Sequence, residues 1–398
     1  MINPGRPSIM ERPSGPSFHR ENPLIAPLSD PLIRDPALRD VAAKLEAGER
    51  LGFDDGMACL TTADLFGLGR IADRVKTART GDHVLYVLNR QLNPTNLCVL
   101  TCKFCDFAAR KGDAHAYELS MDEILAHGSD EIDEIHIVSG LHPKWKFEDY
   151  VDIVRRLKDA YPRLPIKAWT AVEIDWFTRI AKKSVEEVLS TLREAGMAAM
   201  PGGGAEVFSE RVRQELYRSK MGHERWFEIH QIAHGMGIRS NCTLLYGHIE
   251  TLKERVSHML QVRDLQDETG GFYSFIPLEY QLGTTKLVER PASADDGLRT
   301  IATARLLLDN FDHIKAYWVM LGEETASVAL NFGASDLDGT IVEEKIAHYA
   351  LAESPVGLTQ QRILKLIREA GKIPVRRNAL YDVLEVHDED DARTHPVS

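Results

Sequence analysis

The chain has 398 residues, 43% of them apolar, and a formal net charge of −12. That supplies a large core, and the acidic balance excludes a general binder of nucleic acid or of anionic membranes, both of which select positive charge. No window approaches the roughly 18 uninterrupted apolar residues of a membrane span, and the opening residues are not built like a secretory leader, so a cytoplasmic protein is expected. Residues 1–32 carry Pro4, Pro7, Pro13, Pro16, Pro23 and Pro27 and almost no periodicity, which predicts a disordered arm. Residues 33–82 read as a helical segment of two or three helices, with apolar positions at helical spacing over 35–51 and 55–78 and Asp55 and Thr62 as N-caps.

From His83 the pattern changes to short β-branched or aromatic runs alternating with amphipathic stretches. Strands are predicted at 84–88, 134–138, 166–172, 198–200, 239–245, 273–276 and 313–321. Helices are predicted at 120–129, 147–160, 184–195, 209–217, 224–236, 252–268 and 294–308. Repeated βα units demand a parallel sheet, because each crossover helix returns the chain to the same end. With no G-x-G-x-x-G after the first strand, an α/β fold with a full or partial TIM-like (β/α) barrel over 83–322 is expected rather than an open doubly wound sheet. Residues 323–387 are expected to form a C-terminal helical extension packed on the barrel, with a helix over 359–370 stopped by Gly371. The acidic residues 388–398 are expected to be a disordered tail.

Three of the five cysteines, Cys98, Cys102 and Cys105, are spaced C-x3-C-x2-C directly after the first predicted strand. An odd, bunched set argues against disulfides and for metal chemistry in a reducing compartment. Three thiolates can hold three irons of a 4Fe–4S cubane and leave the fourth open to a ligand, whereas electron carriers fill all four. The competing reading is a zinc or non-catalytic iron–sulfur protein. A closed zinc site needs four N/S ligands, and the nearest histidines, His83 and His115, lie outside common zinc spacings.

The cysteine triplet, with Phe104 before its last member, resembles the signature of the radical S-adenosylmethionine (SAM) enzymes. That resemblance implies that SAM is chelated at the open iron and cleaved to a 5′-deoxyadenosyl radical. The ends of the next strands then supply candidates. Ser139-Gly140-Leu141-His142-Pro143 follows the second strand, where the superfamily usually has a glycine pair that lets backbone approach SAM; Ser139 replaces one of them. Glu173, at the expected end of the third strand, either contacts SAM or substrate or serves as a helix cap or ion-pair partner. Gly203, within Pro201-Gly202-Gly203-Gly204-Ala205-Glu206, lets backbone come close to a ligand or simply makes a turn. Arg213 and then Arg211 are candidates for the SAM carboxylate, which suits the planar guanidinium, and either could instead lie on a solvated helix face. Phe104 is expected to pack on the cluster or the adenine or to fill core. His142 is a candidate for substrate binding or proton transfer, or an ordinary loop histidine.

Further stretches narrow the resemblance. Asn93-Pro94-Thr95-Asn96-Leu97-Cys98, Cys105-Asp106-Phe107 and Ala116-Tyr117-Glu118-Leu119-Ser120 resemble the branch that holds the deazaflavin-precursor (FO) synthases and two futalosine-pathway enzymes. With Gly140-Leu141-His142-Pro143, Lys167-Ala168-Trp169-Thr170-Ala171-Val172-Glu173-Ile174 and the 201–206 stretch, the chain is similar to the aminodeoxyfutalosine synthases of menaquinone biosynthesis. Ser139, and Ser335 in the Gly-Ala-x-Asp-Leu loop, depart from that family's pattern. The resemblance implies that SAM is a consumed cosubstrate and that 3-[(1-carboxyvinyl)oxy]benzoate is its partner. The deoxyadenosyl radical would add to the vinyl methylene; aryl migration and loss of carboxylate would then give 6-amino-6-deoxyfutalosine. It also implies an electron donor such as flavodoxin or ferredoxin. The nearest alternatives are the cyclic dehypoxanthine futalosine synthases and FO synthase-like enzymes.

Overall fold

In a computed structural model that describes residues 28, 30–342 and 345–388, the strands form a ring of parallel neighbours. The ring opens with β1 (His83–Val87), which runs within one residue into β2 (Asn89–Leu92). It continues through β3 (Glu134–Ile137), β4 (Ile166–Ala168), β5 (Met197–Ala199), β6 (Ser240–Tyr246), β7 (Phe272–Glu279), β8 (His313–Ile314) and β9 (Asp336–Gly339). β2 to β5 pair in order, as do β6 to β8, all in parallel. Single parallel bridges close the gaps: Met200 with Ser240 joins β5 to β6, Lys315 with Asp336 joins β8 to β9, and Arg90 with Val342 brings the chain after β9 alongside β2. β9 also pairs with β1. With β1 and β2 counted as one continuous position, eight positions complete the barrel. Outside it, β10 (Ile373–Arg377) pairs parallel with β1, and β11 (Val383–Val386) pairs antiparallel with β10.

The crossover helices follow the expected amphipathic stretches, and helix Phe147–Ala160 has the expected ends. Its buried side chains Tyr150, Val151, Val154 and Leu157 recur at helical spacing, the stripe that faces a sheet. Several boundaries differ for identifiable reasons. Among the described residues three helices precede β1, within the two or three expected, but with other caps: Phe53–Thr61 is capped by Gly52 with Asp55 at N3, and Leu65–Thr80 starts at Asp64, which accepts from the Gly67 amide, so Asp55 and Thr62 are not the caps. The third strand stops at Ala168 instead of 172. Trp169 takes φ 61°, and the Thr170 and Glu173 side chains form a reciprocal capping box that starts a helix at Ala171. The last expected strand ends at Ile314, and residues 318–321 are helical.

The expected boundary at 322 also moves. β9 belongs to the barrel, so the segment expected as a helical extension contributes a barrel strand as well as β10, β11 and helix Gln360–Glu369. Most of the expected arm (residues 1–27 and 29) and of the expected tail (389–398) lies outside the described residues. Leu28 is buried, and Asp30 pairs with Arg70 and, at 2.9 Å, with Arg74, so this end of the expected arm is fixed to helix Leu65–Thr80.

Candidate active site

The loop after β2 is shaped by three polar side chains buried to 2% exposure or less. Asn93 donates to the Val138 carbonyl (2.8 Å), Thr95 to the Tyr117 carbonyl (2.7 Å), and Asn96 donates to the His115 carbonyl while accepting from the Tyr117 amide (both 2.8 Å). Each side chain satisfies backbone that the irregular chain would otherwise bury unpaired. Downstream, the Cys98 amide donates to the Ala109 carbonyl, and Arg110 donates to the Cys98 and Leu100 carbonyls. Gly140 packs beneath: a Cβ there would stand 2.5 Å from the Leu97 carbonyl oxygen, so only glycine admits this approach.

Cys98, Cys102 and Cys105 are free thiols, and all three line one cavity of about 260 Å³ at the C-terminal ends of the strands. Its walls include Phe104, Ser139, Thr170, Glu173, Gly203, Glu206, Lys220, Thr243 and Glu279 among many apolar side chains. Lys220 is the one cationic side chain in that wall among the described residues. It pairs with Glu206 at 2.5 Å, both being nearly buried, and lies 5.5 Å from the Phe104 ring centroid. Burial opposes its charge, yet the Glu206 carboxylate prevails and holds the ammonium above the usual lysine range.

Residues 92–262 match the radical SAM superfamily and residues 269–389 the CofH/MqnC C-terminal region. The chain is 46% identical to an aminodeoxyfutalosine synthase of Thermus thermophilus, over 90% of this chain and 99% of that one. It is 41% identical to one of Streptomyces coelicolor, over 89% and 95%. The chain belongs to the aminodeoxyfutalosine synthase family. A cyclic dehypoxanthine futalosine synthase of S. coelicolor is 36% identical over 88% of this chain and 90% of that one. Among solved structures, a methylornithine synthase superposes with a TM-score of 0.67, covering 84% of this chain and 97% of that one at 18% identity, a likeness of fold.

Members of the aminodeoxyfutalosine synthase family are radical SAM enzymes, with a 4Fe–4S cluster and SAM as cosubstrate. The thiols fit that cluster better than a lone metal ion. Among the described residues, no three Cys, His, Asp or Glu side chains converge as ligands of one ion, whereas a cubane takes each thiolate on a different iron. Cys59 and Cys242 are buried in the core, away from the loop.

The other expected residues fall into two groups. Phe104, Ser139, Glu173 and Gly203 line the cavity. Glu173 sits there as N3 of helix Ala171–Ala181, the capping role left open above: it accepts from the Ser139 and Thr170 amides at 3.0 Å and from the Thr170 hydroxyl. Burial still pushes its carboxyl up. Gly140, His142, Arg211 and Arg213 lie outside the lining. Both His142 ring nitrogens are engaged, Nδ1 accepting from the Lys144 and Trp145 amides and Nε2 facing Glu118 at 3.3 Å, so the ring caps its own loop. Arg211 binds Glu254 and the Ile249 carbonyl. Arg213 binds Glu210 and donates to the Arg218 and Lys220 carbonyls, which pins the turn that presents Lys220. The cavity's cation is therefore Lys220 rather than either arginine. No local pattern marks it, because its burial arises only when the chain after helix Glu210–Leu216 folds over the cluster loop, where the Lys103 amide donates to the Leu216 carbonyl.

Proposed function

We propose that this chain joins the 5′-deoxyadenosyl group of SAM to 3-[(1-carboxyvinyl)oxy]benzoate, forming 6-amino-6-deoxyfutalosine in the cytoplasm for menaquinone biosynthesis. The observation that carries the reading is the placing of three thiols, one buried cation and a largely apolar wall around one cavity. Cys98, Cys102 and Cys105 would hold the cluster, which when bound would supply the electron for SAM cleavage. The chain's own residues do the rest. Leu141, Val172, Leu245, Leu278, Met320 and Ile346 make the apolar wall that would keep water from the reacting carbons and bring the vinyl group to C5′. Glu173 is a positioning residue that fixes the Ser139 and Thr170 backbone under the ligand. The exposed cluster-loop edge at Thr101 and Lys103 is the approach for an electron donor such as flavodoxin or ferredoxin.

Anaerobic incubation of the reconstituted, reduced protein with SAM and the enol ether should give the adenosyl–benzoate adduct by mass spectrometry, with SAM consumed. Free 5′-deoxyadenosine without adduct would instead assign the hydrogen-abstraction chemistry of the related cyclic dehypoxanthine futalosine synthases.

Lys220 is proposed to take the carboxylate of SAM in place of the arginines. Lys220→Met combined with Glu206→Gln removes the cation without stranding a buried carboxylate. Loss of a charge-assisted hydrogen bond of about 1.5–3 kcal/mol should weaken SAM binding roughly 10- to 100-fold. Titration of the oxidised, cluster-loaded protein with SAM checks this, and unchanged affinity would remove Lys220 from that role.

A further inference from the structure

Four carboxyl groups line the cavity, and three are accounted for: Glu173 by its capping bonds, Glu206 by Lys220, and Asp106 by the amide and hydroxyl of Thr284. The fourth, Glu279, ends β7. It is 9% exposed, forms no ion pair among the described residues, and its one side-chain hydrogen bond is a long 3.5 Å contact from the Tyr246 hydroxyl.

The neighbouring groups leave it that way. From helix Leu252–Thr269, Arg255 is directed to Asp296 (2.7 Å), Thr300 (2.8 Å) and Glu250 (2.8 Å). From helix Ala294–Leu307, Asp296 adds negative charge. In the turn after β6, His248 faces Glu250 at 3.1 Å, and burial holds its ring neutral. Gln281 donates to the backbone carbonyl of Glu279, not to its carboxyl. Burial, and then the Asp296 charge, push the Glu279 carboxyl up to about 7.

Given the proposed reaction, on which this step rests, two ligands bring three carboxylates to a cavity with one lysine. An isolated carboxylate would repel them, but a protonated carboxyl is a hydrogen-bond donor of the kind enzymes hold neutral for this purpose. We propose that Glu279, in its protonated form, donates a hydrogen bond to one carboxylate of the enol ether and so serves as the second anion-binding group of the site.

The test is equilibrium binding of 3-[(1-carboxyvinyl)oxy]benzoate to the oxidised, cluster-loaded enzyme with SAM present, where no turnover occurs, supported by KM and kcat of the reduced enzyme. Wild-type affinity should weaken as pH rises through about 7, where the donor proton leaves Glu279. Glu279→Gln keeps a neutral donor and should bind within a few-fold of wild type at pH 6.5, without that pH dependence. Glu279→Ala should lose about 10- to 100-fold in substrate affinity, with SAM affinity unchanged as the sign of an intact site. The inference is overturned if wild-type affinity is flat between pH 6 and 8.5, if Gln binds as weakly as Ala at pH 6.5, or if the loss falls on SAM. Should Ala fail to fold, wild type and Gln decide the matter between them. A wild-type enzyme that binds no enol ether at all overturns the substrate reading itself, and this inference with it.

Discussion

Replacing any one of Cys98, Cys102 or Cys105 by serine should leave a folded but colourless protein that cleaves SAM only at background rate. Two physical facts separate folding from chemistry here. The loop is held by Asn93, Thr95, Asn96 and Arg110, which bind backbone groups directly, so its shape does not depend on a metal. Serine is close to cysteine in shape but offers a hard oxygen where iron–sulfur clusters take soft thiolate. The stability of the cluster-free protein should therefore change by no more than about 1 kcal/mol, while iron content, visible absorption and 5′-deoxyadenosine release all collapse. Thermal unfolding of the cluster-free variants, read beside their iron content, checks both halves. A serine variant that kept its iron and cleaved SAM would show that the cavity's thiols are not the ligands. One that failed to fold would show that the sulfurs have a structural role the backbone bonds do not replace.

What could be read from the chain beforehand depended on how local its cause is. The cluster loop was legible because one stretch carries both the three thiols and the Asn93, Thr95 and Asn96 side chains that shape it. The βα alternation was legible because each unit's hydrophobic period is set within a few residues. Strand ends were misread where a turn competes with β-propensity: residues 166–172 look like one strand, but Thr170 and Glu173 make a capping box, and the helix begins there. Lys220, Glu206 and Glu279 were not singled out, because a charged side chain in a loop or at a strand end has no period. Only the closed ring buries them together around one cavity. β9 was missed for a related reason. Asp336-Leu337-Asp338-Gly339 is acidic and glycine-ended and reads as a turn, and it becomes a strand because its two aspartates meet cations from other strands.

Those aspartates lead to the second large effect: Arg377→Met should cost about 3–5 kcal/mol of stability, the range for breaking a buried ion pair from one side. Lys167 and Glu134 pair at 2.7 Å, Glu134 and Arg377 at 3.5 Å, Arg377 and Asp336 at 2.9 Å, and Lys315 and Asp338 at 3.0 Å, every one of these side chains being at most 9% exposed. Three cations face three carboxylates buried among the strands. Arg377, whose guanidinium also stacks 4.0 Å from the Tyr381 ring centroid, comes from β10, outside the ring. Removing it leaves an uncompensated buried carboxylate, whereas Arg377→Met with Asp336→Leu removes both charges and should recover most of the loss. Acid unfolding supplies a separate reading. Against the upward push of burial, Lys167 holds Glu134 below the usual carboxylate range, as Arg377 and Lys315 hold Asp336. These depressed groups stabilise the fold above their unfolded values near 4, and that contribution is lost as pH falls through the folded ones. Without Arg377 the folded values rise toward the unfolded ones, so the single variant should unfold at higher pH than wild type, as followed by circular dichroism. The same network explains why a chain ending at 322 should not make a barrel. It would lack β9, which fills the eighth position, and Arg377, the charge that lets two acidic strands sit in an apolar interior.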